Sequence, residues 1–145
     1  MDARKVALVQ QSFEAVAALR LEAAEIFYSE LFAIDPSLRS MFNGDMRDQH
    51  RKLLSALAYV VRSLAAPERI LNSVENLARM HVDYGVKPNH YTHFGNALLR
   101  MLRRVLGTRF TPELGDAWTE AFRALARTMA EAAYGGAPAK ALGAA

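Results

Sequence analysis

Three polar side chains sit where apolar ones would be expected, and their types suit one kind of chemistry. His81 continues the stripe Ile70, Val74, Leu77, whose steps of three and four place it on a core-facing helix surface. Gln49 lies four residues before Leu53, on a stripe that runs on through Leu57 and Val60. Tyr28 follows Phe27 and precedes Leu31 and Phe32. Each has an ordinary explanation when taken alone. A core-facing histidine is more often a satisfied structural residue than a ligand. Gln49, near the start of its helix, can reach water, and a buried tyrosine needs only a partner for its hydroxyl. Together they suggest more. A neutral imidazole is a common iron ligand, while an amide and a phenol can both donate hydrogen bonds. On helices facing each other across a flat cavity, the histidine would hold a metal from one side. The other two would offer donors to a small molecule on the opposite side.

The elements that must position these residues all have the helical period. Val6, Val9, Phe13 and Val16 step by three and four, as do Leu53, Leu57, Val60 and Leu64. Tyr91, Phe94, Leu98, Met101 and Val105 repeat the pattern, and so do Leu114, Trp118, Leu125, Met129 and Ala132. No segment alternates long enough to read as a strand, and abundant alanine favours helix further. Breakers separate the stripes. Asp35-Pro36-Ser37 opens a short helix, and Asn43-Gly44-Asp45 is a turn. Ala66-Pro67-Glu68 and Gly85-Val86-Lys87-Pro88 divide the middle of the chain. Thr111-Pro112-Glu113 supplies an N-cap, a first-position proline and a first-turn acid. Gly135-Gly136-Ala137-Pro138 closes the last helix and opens an Ala/Gly-rich tail, expected to be disordered. The reading is an all-α domain over residues 1–134, with about six or seven helices and a tail over 135–145.

Composition narrows the chemistry. The 145 residues, 52% hydrophobic and 23% charged, fit one globular domain with a real core. There is no cysteine, so disulfides, Cys-ligated zinc, iron–sulfur clusters and cysteine nucleophiles are excluded. A net charge of +3 is too small to argue for nucleic acid. The densest basic stretch, Arg100, Arg103 and Arg104, reads as a solvated helix face. No apolar run reaches membrane-spanning length. Met1-Asp2-Ala3-Arg4-Lys5 leads into an amphipathic pattern rather than a signal-peptide core, so a cytoplasmic location is expected.

With these residues in order, the chain resembles the globins from about Lys5 to Tyr134. It is similar in particular to bacterial single-domain haemoglobins, to the globin part of flavohaemoglobins and to neuroglobin. Phe27-Tyr28-Ser29-Glu30-Leu31-Phe32 resembles the globin B helix, with Tyr28 at the distal tyrosine position. Asp35-Pro36 and Met41-Phe42 match the C segment, with Phe42 on the phenylalanine that stacks on haem. Gln49-His50-Arg51-Lys52-Leu53 matches the distal stretch, with Gln49 facing the ligand. His81 through Tyr91 is similar to the proximal segment, and His81 is the implied iron ligand. Phe110-Thr111-Pro112 and Asp116-Ala117-Trp118 match the start of the last helix.

The resemblance implies a globin fold enclosing a b-type haem, since no Cys-x-x-Cys-His motif offers covalent attachment. It places Lys52 within reach of a haem propionate, with simple solvation as the rival reading. Leu53 should border the distal pocket, and Val86 and Tyr91 should contact the proximal side. Phe94 and Leu98 form either pocket wall or plain core. One helical residue is about 100° of rotation, so His50 is expected to face out of the pocket, and His90 and His93 to be surface residues. The sequence departs from flavohaemoglobins in one place. Their late-helix glutamate, which bonds the proximal histidine and a tyrosine, is matched here by Ala133, with Glu131 two residues earlier. Without that acceptor the proximal imidazole is less basic, and peroxidase-like chemistry is less favoured.

The implied function is reversible, tight binding of oxygen at ferrous haem, for storage or delivery, with carbon monoxide and nitric oxide as further ligands. Nitric oxide dioxygenation is the alternative, and it would need a separate reductase because no reductase domain is expected in this length. A haem gas or redox sensor is a third reading. A partner nucleic acid or membrane is not expected.

Overall fold

The computed structural model describes residues 1–42, 44–66, 87 and 89–134, the last five of these in backbone only. His81, Val86 and the expected tail at 135–145 lie outside the described residues. The elements are α1 (Ala3–Leu19), α2 (Leu21–Ile34), a 3₁₀ helix at Pro36–Met41, α3 (Met46–Arg62), α4 (His90–Leu106), a 3₁₀ turn at Gly107–Arg109 and α5 (Pro112–Tyr134). Among the described residues there is no strand.

Local chemistry sets most boundaries. The Asp2 carboxylate accepts from the Lys5 N–H at 2.8 Å and caps α1. Asp35 accepts from the Ser37 N–H at 3.1 Å and the Ser37 hydroxyl at 2.6 Å, ending α2 and opening the 3₁₀ helix. Asp45 accepts from the Arg47 N–H at 2.9 Å and starts α3. Thr111 Oγ1 accepts from the Leu114 N–H at 3.2 Å beneath Pro112, satisfying a donor that the first turn leaves free. The α1/α2 boundary has no glycine or proline. Arg20 makes that break by adopting φ 54°, a conformation costly for a residue with a Cβ.

The helical stripes point where their periods require. Val6, Val9, Phe13 and Val16 of α1 are buried, as are Tyr91, Leu98 and Met101 of α4 and Leu114, Trp118 and Met129 of α5. α4 packs most extensively on α2, and α1 lies against α3, α4 and α5. Phe13 and Trp118 meet at 6.4 Å. The Trp118 indole donates to Ser12 Oγ at 2.8 Å, so its one polar atom is satisfied inside the core. Gln10 donates to the Val61 carbonyl at 3.1 Å and ties α1 to the end of α3. Gly95 lets α4 approach α5, because a Cβ there would lie 2.8 Å from the Phe122 ring.

Candidate functional site

α2 positions Tyr28. The helix buries Ala23, Ala24, Phe27, Tyr28 and Leu31, and Tyr28 is only 7% exposed. Four rings surround the phenol. Phe27 and Phe42 meet it edge-on, at 5.1 and 5.3 Å between centroids. Phe32 lies tilted at 5.9 Å, and His50 stacks on it at 5.3 Å with 23° between planes. Phe42 in turn meets Phe32 at 5.6 Å, and the Arg39 guanidinium sits 5.5 Å over the Phe32 ring. Burial pushes the Tyr28 phenol up from 10.0 to about 12. The charged form is the one that loses hydration, so the group remains a proton-bearing donor.

α3 carries the other expected distal residues. Gln49 is half-buried in its first turns, and Leu53 is half-buried against the core. Lys52 is exposed and lies 3.5 Å from Asp48 one turn earlier, the geometry of an ordinary surface ion pair. His50 departs from the sequence expectation. It was expected to face out of the pocket, yet it is half-buried with its ring on Tyr28. The reason is that α3 meets both α2 and α1. It therefore has two inward faces, and a reading based on the single Gln49–Leu53 stripe counts only one.

α4 supplies Tyr91 and Phe94, whose rings meet edge-on at 6.3 Å. Tyr91 is buried and Phe94 half-buried, while Leu98 belongs to the core. His90 and His93, expected at the surface, are half-buried. His90 Nδ1 accepts from the Lys87 N–H at 3.0 Å, and burial lowers its pKa. His93 Nε2 lies 3.7 Å from Asp35 Oδ2, across the junction between α4 and the end of α2. The Ser37 hydroxyl holds the Asp35 carboxyl below its usual range. A cavity of about 130 Å³ between α4 and α5, lined in part by Tyr91, Gly95, Trp118 and Phe122, shares no residue with the Tyr28 cluster.

The arrangement so far is an all-helical domain with a buried phenol beneath an amphipathic helix. The family model for globins matches residues 25–129, and the chain belongs to the globin family. It is 37% identical to the flavohemoprotein of Bordetella pertussis over 103 residues, 69% of this chain and 26% of that protein. It is 32% identical to the flavohemoprotein of Xylella fastidiosa over 108 residues, 72% of this chain and 27% of that one. The chain thus spans about a quarter of the length of these relatives. A bacterial globin from Campylobacter jejuni superposes with a TM-score of 0.81 at 21% identity, covering 91% of this chain and 96% of that one, a likeness of fold. An engineered carbene transferase, made from a candidate nitric oxide dioxygenase of Rhodothermus marinus, superposes with a TM-score of 0.80 at 27% identity. That match covers 100% of this chain and 99% of the other.

Membership of this family implies haem, and the described residues can be tested against it. α3 and α4 both lie on α2 but scarcely touch each other. The apolar residues α3 presents to the core, Leu53, Leu54 and Leu57, are only half-buried, as is Phe94 on α4. A half-covered apolar face on α3, with Phe94 of α4 and the aromatic cluster on α2 near its partners, suits a flat, largely apolar group. The donors at Tyr28 and Gln49 suit a polar molecule bound beside it. The described residues therefore fit haem. Among the described residues, no helix is long and apolar enough to cross a membrane.

Proposed function

We propose that this chain holds a non-covalent b-type haem through His81 and binds oxygen reversibly, with Tyr28 and Gln49 as the hydrogen-bond donors. The bound haem supplies an iron able to take a diatomic gas. The reading rests above all on the Tyr28 phenol, buried among four rings and kept protonated up to about 12. At neutral pH burial keeps that hydroxyl in its neutral form, able to donate or accept a hydrogen bond. Phe27, Phe32 and Phe42 exclude water from its surroundings, which strengthens the hydrogen bond it can give. Oxygen held at such an iron would carry more negative charge than carbon monoxide, so donors at Tyr28 and Gln49 would favour oxygen. Each contributes on the order of 1–3 kcal/mol. Leu53, Val86, Tyr91 and Phe94 complete the wall in this reading, Phe42 stacks on the haem, and Lys52 exchanges its Asp48 contact for a propionate.

Absorption spectra of the haem-loaded protein test this directly. The ferrous form should show a broad five-coordinate band that sharpens and shifts under carbon monoxide. A split, low-spin six-coordinate ferrous spectrum would mean that a side chain occupies the gas position, and oxygen storage would give way to a redox or sensing role.

The likeness to flavohemoproteins and to the Rhodothermus protein supports a second reading, nitric oxide dioxygenation. In that reaction nitric oxide, oxygen and one electron yield nitrate, and the electron comes from a reductase. Sustained nitric oxide consumption with a flavin reductase and nicotinamide supports it. Consumption that stops after a stoichiometric amount supports the binding protein.

A further inference from the structure

A buried phenol can aim its proton only as well as its ring is held. Tyr28 has two side-chain torsions, and the second is soft and two-fold. Phe27 and Phe42 bear on the ring edge-on, at 83° and 72° between planes. Such contacts hinder sideways motion but leave the face open. Phe32 is inclined by 33° at the longer distance of 5.9 Å. Of the four rings, His50 lies nearest to parallel, and it comes from a different helix, α3. Its imidazole therefore covers the face that rotation of the phenol would sweep through. It also ties the orientation of the α2 side chain to the position of α3.

We infer that His50 is a positioning residue for Tyr28: stacked on the phenol ring, it fixes the direction in which the Tyr28 hydroxyl donates and so sets how fast oxygen leaves. This rests on the reading of Tyr28 as the gas-facing donor. Packing alone would make His50 a contributor to stability. Donation by the imidazole itself would require its nitrogen rather than its ring face. The two alternatives differ from the inference in what a phenyl ring at this position can restore.

The test compares the haem-loaded native protein with His50→Ala, His50→Phe and Tyr28→Phe. Three quantities are read: the infrared C–O stretch of the ferrous carbon monoxide form, the oxygen release rate, and the ring signals of ¹³C-labelled tyrosine. His50→Ala should broaden or split the C–O band, because the phenol then samples several directions. It should also speed oxygen release by roughly two- to tenfold, the scale of losing one aromatic pair, and speed flipping of the Tyr28 ring. His50→Phe should keep one band, a near-native rate and slow flipping. A native band and rate in His50→Ala would overturn the inference. So would a His50→Phe as impaired as His50→Ala, which would assign the effect to the imidazole nitrogens. If Tyr28→Phe speeds release while His50→Ala does not, only the role of His50 falls. If Tyr28→Phe leaves release unchanged, the donor reading falls first and takes this inference with it.

Discussion

Leu102 of α4 and Leu57 of α3 are both inward-facing leucines, yet Leu102 is fully buried and Leu57 only half-buried. The difference extends to the helices around them. α4 buries Tyr91, Ala97, Leu98, Met101, Leu102 and Leu106, whereas α3 buries only Val61. α1, α4 and α5 close on one another with Trp118, Val9 and Val16 inside. α3 instead turns a largely apolar face toward the aromatic cluster on α2 and leaves it half-covered. One region holds the fold together. The other carries Tyr28, Gln49 and His50 beside apolar side chains of α3 that the described residues cover only in part.

Substitutions can break this comparison. Leu102→Ala should cost about 2–5 kcal/mol, because a fully buried side chain leaves a cavity. Leu57→Ala should cost clearly less in the haem-free chain, and the gap should narrow when haem is added. Denaturant titrations of both variants, with and without haem, check this. Equal costs without haem would mean that α3 is already part of the closed core.

The next effect belongs to Tyr28. Its pKa is raised in the fold from 10.0 to about 12, so the neutral phenol is the form the fold favours. That contribution is fully present below pH 10 and is lost as pH rises through about 12. The difference corresponds to about 3 kcal/mol at most. Stability of the native protein should therefore fall across this window more steeply than that of Tyr28→Phe. Parallel curves would show that the phenol is hydrated.

Gly95→Ala tests the other region. The new methyl would meet the Phe122 ring at 2.8 Å. Overpacking of about 1–3 kcal/mol should outweigh the gain of about 0.5–1 kcal/mol from helix propensity. Smallest is Thr111→Ala, expected to cost about 1 kcal/mol through the lost cap on α5.

The closed region was more legible in the sequence than the open one. Each apolar stripe of α1, α4 and α5 has one dominant inward face, so period alone points Val9, Met101 and Trp118 at the core. Thr111 and Pro112 mark the start of α5 by side-chain chemistry. Arg20 was not legible, because its positive φ comes from the meeting of α1 and α2 and not from a breaker residue. His50 was less legible because its contact is a ring stack on Tyr28 of α2, which the apolar stripe of α3 does not carry. His93 was less legible because its partner Asp35 is brought to it by the fold, whereas the partner of His90 is Lys87, only three residues away. The aromatic cluster was partly legible, since Phe27, Tyr28, Phe32 and Phe42 stand close in the chain.

The oxygen release rate of haem-loaded Tyr28→Phe against the native protein tests the central claim most directly. Loss of one hydrogen bond of about 1–3 kcal/mol predicts release faster by roughly fivefold or more, with carbon monoxide release little changed. Native-like oxygen release in that variant would contradict the claim and remove Tyr28 from the gas site.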